Sequence, residues 1–142
     1  ERWRDTFIKS EVSRWLDWTP TVTQVGSVTV TVDYARYMVT HNLVVAYAHL
    51  SVTGSGTGGT AILIGGLPFD ILNTAGNSNA MGVWNLRDAS VPNNYTGVCD
   101  ANAATAFFMR NNNSTGSGIG ALPNLALASG DTIGFTVTYE RT

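Results

Sequence analysis

Charged residues are scarce in this sequence: they make up 13% of its 142 residues, against roughly 25% in a typical soluble domain. Lysine occurs once, at Lys9, and the net charge is −2, so the sequence has no basic patch to neutralise phosphates. This composition argues against nucleic-acid binding. Asn, Thr, Ser and Gly supply the polarity instead, which suits an extracellular or virion protein that contacts neutral polar ligands or other subunits.

Cysteine and long apolar runs are also lacking. Cys99 is the single cysteine, which excludes an intrachain disulfide and a cysteine-based zinc site within one chain. We interpret it as a small buried apolar residue. No apolar run approaches the length of a membrane span, and no signal peptide is visible. Because the chain does not begin with Met, it is compatible with a fragment of a longer protein.

The apolar residues that are present follow the period of a β-strand. Valines alternate with hydroxyl side chains over residues 28–32, and the even positions of residues 44–52 are all apolar. Four glycines within residues 53–60 end this run in a loop, and residues 132–139 alternate again. Because short strands are separated by glycine-rich turns, we predict a mainly β protein, an antiparallel β-sandwich or jelly roll.

Residues 1–17 differ from the rest of the chain because they contain eight charged residues and no glycine or proline. Their apolar side chains fall on two arcs of a helix, which predicts a short N-terminal α-helix that docks on its own domain or on sister chains. We therefore predict a helical stalk over residues 1–17 and a β-sandwich head over residues 18–142. The side chains expected to form the contact between chains are Trp3, Phe7, Ile8, Val12, Trp15 and Leu16.

Five short motifs follow in order along the predicted head: Trp18-Thr19-Pro20-Thr21, Ala35-Arg36-Tyr37, Asn42-Leu43-Val44, Gly65-Gly66-Leu67-Pro68 and Ser129-Gly130-Asp131. Together they resemble the C-terminal β-domains of bacteriophage tail fibre and receptor-binding proteins. The resemblance implies a helical or coiled stalk that leads into a trimeric β-sandwich or jelly-roll tip. It names no site residue, because ligand-binding residues vary within that group. One departure is His41, which stands where glycine is expected in a tight turn.

A candidate ligand site is predicted in the region of residues 87–100, which we interpret mainly as a loop rich in Asn. Sugars are held by aromatic faces together with amide and carboxylate groups, and loops on a rigid scaffold are common places for such groups. Two alternatives stay open: Trp84 belongs to the core, and Tyr95 only anchors its loop. The predicted ligand-binding residues are Trp84, Arg87, Asp88, Asn93, Asn94 and Tyr95.

The sequence has no recognisable catalytic or metal-binding arrangement. Glycoside hydrolysis needs two carboxylates roughly 5–10 Å apart, and nothing marks such a pair. Asp33, Asp88 and Asp131 are interpreted as turn residues that cap their own backbone. His41 and His49 are interpreted as structural or interface residues, with ion binding near a three-fold axis as the alternative. We predict no enzyme activity and no cofactor.

The functional expectation is a non-catalytic tail fibre or receptor-binding tip, located in the virion, that adheres to a host surface glycan. Its expected partners are two sister chains, the host polysaccharide and other virion proteins, with no nucleic acid and no membrane insertion. Three linked copies would multiply a weak single-site affinity through effective concentration. The alternative is a structural virion module, such as a trimerising cap, a collar or a capsid decoration, that binds no receptor.

Overall fold

The computed structural model describes residues 14–72, 80–111 and 117–142, which form one ten-stranded antiparallel sheet. The strand order across the sheet is β1-β4-β5-β10-β7-β8-β9-β6-β2-β3. The prediction of a mainly β, antiparallel protein is confirmed. The strands are β1 Leu16–Asp17, β2 Thr21–Gln24, β3 Gly26–Val28, β4 Val30–Thr40, β5 Leu43–Val52, β6 Leu63–Gly65, β7 Ala80–Asp88, β8 Asn93–Ala103, β9 Ala106–Asn111 and β10 Thr132–Glu140.

The sheet curls, and the chain itself joins its two ends. Strands β3 and β4 are separated by Thr29 alone, yet β3 pairs with β2 at one end of the strand order and β4 pairs with β5 near the other. The carbonyl of Thr29 accepts hydrogen bonds from the backbone of Thr53 and Gly54, at 2.9 and 3.0 Å, which fixes this crossing. The two halves of the sheet thereby enclose one core.

Strands β5 and β10 lie at the centre of one half of the sheet, and both follow the predicted alternation. The even positions of β5 and the odd positions of β10 point inward and are at most 5% exposed. Aliphatic and aromatic side chains in such positions stabilise the fold by removing apolar surface from water. The opposite faces of both strands point to solvent. The largest fully buried side chains around them include Phe107, Leu50, Ile62, Ile64, Leu86 and Met109.

The predicted N-terminal helix is wrong where the structure can be compared with it. Residues 1–13, with Trp3, Phe7, Ile8 and Val12, lie outside the described residues. Further on, Leu16 and Asp17 form strand β1, in register with Tyr37 and Arg36 of β4. Pairing with the edge of β4 satisfies the backbone groups that a helix would have bonded internally, so tertiary contact overrides the helical periodicity. The described part of the chain contains no helix.

Trp15 and the side chains of β1 are exposed on the surface of the single chain. Trp15 is 42% exposed and Leu16 is 46% exposed, while Asp17 pairs with Arg36 at 3.3 Å. The homotrimer therefore stays a prediction. Across the described ranges, no helix is long and apolar enough to cross a membrane.

The predicted loop over residues 87–100 is also wrong, because most of it is strand. Strands β7 and β8 form a hairpin in which Arg87 pairs with Asn94 and Asp88 with Asn93, leaving residues 89–92 as the turn. The Asn-rich composition predicted a loop, but long cross-strand pairing outweighs the weak intrinsic preference of Asn for turns.

Candidate functional site

The strand structure of β7 and β8 divides the predicted ligand residues between two faces of the sheet. Trp84 and Asp88 point inward and are 2% and 7% exposed, and Tyr95 is half-buried against the core. Arg87 and Asn94, a cross-strand pair, are exposed on the outer face, and Asn93 is exposed beside the turn. The six residues are therefore not gathered at one site.

Trp84 is a core residue, as the alternative interpretation held. Its indole Nε1 donates hydrogen bonds to the carbonyls of Val98 and Arg110, both at 3.0 Å. Gly97 makes room for the ring, since a Cβ built there would lie 2.7 Å from Trp84 Cζ2. The buried ring offers no face for a sugar to stack upon.

Asp88 and Asp131 are structural caps, as predicted. Asp88 Oδ1 accepts from the backbone N–H and the hydroxyl of Ser90, at 2.9 and 2.6 Å. The Asp131 carboxylate accepts from the backbone N–H groups of Ala89 and Ala128, both at 2.9 Å. Both carboxylates are thus occupied in holding the turns at this end of the sheet.

The outer face of the sheet contains a groove that crosses five strands. Its floor is a single cross-strand row, made by Tyr34 of β4, His49 of β5, Gly134 of β10, Asn85 of β7 and Thr96 of β8, each in register with the next. The middle member of the row has no side chain, which leaves an open groove of about 410 Å³. The remaining lining comes from the rows beside it and from the backbone: Tyr47, Ala48, Val83, Trp84, Phe135 and Thr136.

One side of the groove is bordered by four rings in contact, which we call the aromatic rim: Trp15, Tyr34, Tyr47 and His49. Trp15 meets Tyr47 edge-on with centroids 5.1 Å apart, and Tyr47 meets Tyr34 at 5.6 Å. Tyr34 stacks on His49 at 5.8 Å with an interplanar angle of 28°. Tyr34 is 51% exposed, so the rim presents ring surface to solvent beside a polar floor.

A β-bulge brings a carboxylate to the aromatic rim. The register of β4 shifts between Val32 and Tyr34, and the extra residue is Asp33. Asp33 Oδ2 lies 2.6 Å from His49 Nδ1 and accepts a hydrogen bond from Ser51 Oγ at 2.8 Å. These two hydrogen bonds, first that of Ser51 and then that of His49, lower the pKa of the Asp33 carboxyl. The prediction that Asp33 caps a turn is therefore wrong.

The Asp33, His49 and Ser51 side chains do not form a nucleophilic triad. In such a triad the hydroxyl bonds to the histidine and the histidine to the acid, whereas here both the hydroxyl and the histidine bond to the acid. The described residues contain no group of three or more His, Cys, Asp or Glu side chains placed to hold a metal ion. This cluster orients polar atoms; it does not activate a nucleophile.

The end of the floor away from the aromatic rim is polar, and an apolar cross-strand pair lies beside it on the same face. Asn85 contributes an amide and Thr96 a hydroxyl, while Val83 and Val98 form the next cross-strand pair and are 64% and 39% exposed. Arg87 lies one row away on the other side, opposite Thr132. A ligand in the groove would meet ring surface, hydroxyl groups and an amide within one row of residues.

A second hollow, of about 320 Å³, lies at the end of β10 and is mainly apolar. It has neither the exposed stacked rings nor the paired amide and hydroxyl groups of the groove. Its lining residues are Leu43, Ile71, Leu72, Met81, Thr138, Tyr139 and Glu140.

Sequence reasoning missed the groove, although part of the signal was visible. The odd positions of β5, including Tyr47 and His49, alternate with the apolar even positions and form the half-buried outer face of the strand. Their partner Tyr34 and the gap at Gly134 come from other strands, so only the strand register brings them together. A glycine at an outward position of the otherwise well-formed β10 is the signal that was available.

Comparison of the chain with protein-family models, with curated proteins and with solved structures found no match in any of the three. The function of the groove is therefore inferred from its own residues.

Proposed function

We propose that this protein is a non-catalytic glycan-binding domain that attaches a virion to a host surface, as a tail fibre or receptor-binding tip. The observation that supports this most directly is the aromatic rim beside the polar floor of the groove. The phage assignment itself rests on the resemblance of the sequence motifs. The finer β-sandwich or jelly-roll description and the trimer belong to the same proposal.

The aromatic rim and the polar end of the floor match the face and the edge of a sugar ring. A pyranose ring presents C–H groups that pack on aromatic surface, and Tyr34 offers such surface with half of its side chain exposed. The hydroxyl groups at the edge of the same ring need donors and acceptors, which Asn85 and Thr96 supply from the floor. The strands hold both sets of groups on a rigid sheet, which limits the entropy lost on binding.

The lining of the groove favours binding over hydrolysis. Most glycosidases use two carboxyl groups that flank the scissile bond. Among the described residues, those that line the groove include His49, Asn85 and Thr96 but no Asp or Glu. The carboxylate of Asp33, which contacts His49, is already bonded to His49 and Ser51.

The test is binding of the purified chain to an array of bacterial surface polysaccharides and oligosaccharides, followed by Tyr34→Ala. We expect the variant to lose roughly two- to thirteenfold in affinity for whatever the wild type binds, since a stacked ring contributes roughly 0.5–1.5 kcal/mol. Leu43→Ala, an exposed residue at the far end of β5, is the matched control and should bind normally. Absence of any glycan ligand, or normal binding by Tyr34→Ala, would refute the proposal.

The second candidate is a structural virion module that binds another virion protein at this face. The observation that favours it is the exposed pair Val83 and Val98 beside the groove, because apolar surface of this kind is typical of protein contacts. A Val98→Asp variant separates the two functions, because Val98 is exposed but is not among the residues that line the groove. A structural module would lose assembly into virions, whereas a receptor-binding tip would assemble and adsorb.

A further inference from the structure

Resting on the proposed glycan-binding function, we propose that Asp33 and Ser51 hold His49 with its proton on Nδ1, so that Nε2 accepts a hydrogen bond from a hydroxyl group. The groove would then select an uncharged sugar over its acidic counterpart. His49 is the specificity-determining residue in this proposal, and Asp33 is the residue that positions it.

The first step is the direction of the hydrogen bond between Asp33 and His49. Oδ2 of Asp33 lies 2.6 Å from Nδ1 of His49. An ionised carboxylate can only accept, so the hydrogen between the two atoms belongs to Nδ1. Ser51 donates to the same oxygen at 2.8 Å and keeps the carboxylate in place. In a neutral imidazole with a proton on Nδ1, Nε2 has a free lone pair and is an acceptor.

The second step is the orientation of the ring. Nδ1 faces Asp33 on the β4 side, and a Cβ built on Gly134 would lie 3.7 Å from His49 Cδ2 on the β10 side. Nε2 is bonded to Cδ2, so it lies on the edge of the ring that faces the groove. Tyr34 stacks on the ring and restricts its rotation. No hydrogen-bond partner of Nε2 is found among the described residues.

The third step is charge. An acidic sugar placed over Gly134 would bring its carboxylate towards a lone pair on Nε2 and towards the ionised Asp33, and both are repulsive. A sugar hydroxyl in the same place would donate to Nε2. The titratable, charged and polar groups that face His49 from its own strand and the neighbouring strands are Asp33, Tyr34 and Arg36 on β4, Tyr47 and Ser51 on β5, Thr132 and Thr136 on β10, and Asn85 and Arg87 on β7.

Arg36 and Arg87 do not reverse this balance at the floor of the groove. Arg36 pairs with Asp17 at 3.3 Å, and Arg87 lies one row away from Asn85 on β7. Asp33 therefore remains the charge in direct contact with His49.

The tautomer can be measured without any ligand. The chain has two histidines, so ¹⁵N NMR of the imidazole rings needs only His41→Gln to assign them. At pH 7.5 we expect the Nδ1–H form for His49 in the wild type and a shift towards the Nε2–H form in Asp33→Ala. An Nε2–H form in the wild type would overturn the proposal, whatever the domain binds.

Selectivity is measured with uncharged oligosaccharides and, for each, the uronic-acid counterpart of the same linkage. At pH 7.5 we expect the bound uncharged ligand to be preferred by about tenfold, equivalent to one hydrogen bond. Asp33→Ala should lose the preference, and an unchanged preference would overturn the proposal.

His49→Gln is the conservative variant. Its amide reaches the position of Nε2 and can donate as well as accept there, so the preference for the uncharged ligand should shrink. A preference as large as that of the wild type would assign the selectivity to another group. If no glycan binds at all, the proposed function fails, while the NMR result still decides the state of His49.

Discussion

His49 and Asn85 face each other across Gly134, with which both are paired in register. A Cβ at Gly134 would lie 2.7 Å from Asn85 Oδ1 and 3.7 Å from His49 Cδ2. A glycine in the middle of a strand destabilises it by roughly 0.5–1 kcal/mol relative to alanine. The backbone of β10 would therefore be more stable with a side chain at this position. The glycine instead leaves open the space that forms the groove.

We expect Gly134→Val to abolish glycan binding without unfolding the protein. The new side chain fills the floor of the groove, and the atom it meets first is the movable end of Asn85. Thr138→Val, on the same face of β10, is the matched control. Binding is compared on the same array, and circular dichroism checks the fold. Full binding by Gly134→Val would place the ligand elsewhere.

The turn between β2 and β3 contains a strained residue. Val25 has φ 72° and is 73% exposed, a backbone conformation that costs a β-branched residue roughly 1–2 kcal/mol and that little packing offsets. We expect Val25→Gly to raise the free energy of unfolding by about 0.5–1 kcal/mol, after the entropy cost of glycine in the unfolded chain. Urea denaturation measures it. Val25→Ala keeps the Cβ, so a gain of the same size in that variant would contradict the explanation.

Gln24 stabilises two loops by buried hydrogen bonds. Its Nε2 donates to the carbonyls of Thr60 and Leu125, at 3.0 and 2.7 Å, and its Oε1 accepts from Leu127 N–H at 3.0 Å. We expect Gln24→Leu to lower the free energy of unfolding by about 3 kcal/mol, since three backbone groups lose their partner. Asn94→Leu, which replaces an exposed amide, should change it by less than about 0.5 kcal/mol. Equal effects would refute this role.

The stability of the protein should fall in alkaline solution because of Tyr139. Its hydroxyl donates to the carbonyl of Phe69 at 3.0 Å, and burial raises its pKa from 10.0 to about 12. A folded state that holds the proton more tightly loses stability as pH rises from the unfolded pKa to the folded one, here from pH 10 to about 12. Tyr139→Phe should remove this part of the loss.

The buried thiol of Cys99 needs a control, because it can also contribute to the loss of stability in alkaline solution. Burial also raises the pKa of Cys99, so its ionisation opposes folding in the alkaline range as well. Urea denaturation is therefore carried out in a Cys99→Ala background. The variant that also carries Tyr139→Phe is compared there with the variant that keeps Tyr139. A pH dependence that is the same for both would show that Tyr139 does not contribute.

The trimer is tested by the solution mass from light scattering, for the full chain and for a chain that begins at Arg14. The second form keeps β1 and Trp15, which belong to the described sheet and the aromatic rim. We expect three chains for the full protein and one for the shorter form. A monomeric full chain would remove the trimer and the gain in avidity from the proposed function.

The sequence predicted what depends on a single strand or a single turn. The alternation in β5 and β10 is local, and so is the two-residue turn at His41 and Asn42. His41, which stands where glycine is expected, has a positive φ of 56°. The cross-strand pairing of Thr40 with Leu43 determines this turn more strongly than the backbone preferences of His41 and Asn42.

Features that depend on strand register could not be predicted from the sequence alone. Leu16 and Asp17 fit a helical pattern, but the free edge of β4 binds them as a strand. The groove needs Tyr34, Gly134 and Asn85, which are far apart in the chain and meet only because three antiparallel pairings align them. The bulge at Asp33 has no signature in the residues around it.

The sheet ends on strands of two and three residues, β1 and β3, within the described residues. Long unpaired strand edges act as templates on which neighbouring molecules add strands and aggregate. Strand β1 pairs only with Arg36 and Tyr37 of the eleven-residue β4, so within the described residues it covers only part of that edge. A second molecule that adds a strand to this sheet is therefore expected to join at the part of β4 that β1 leaves uncovered.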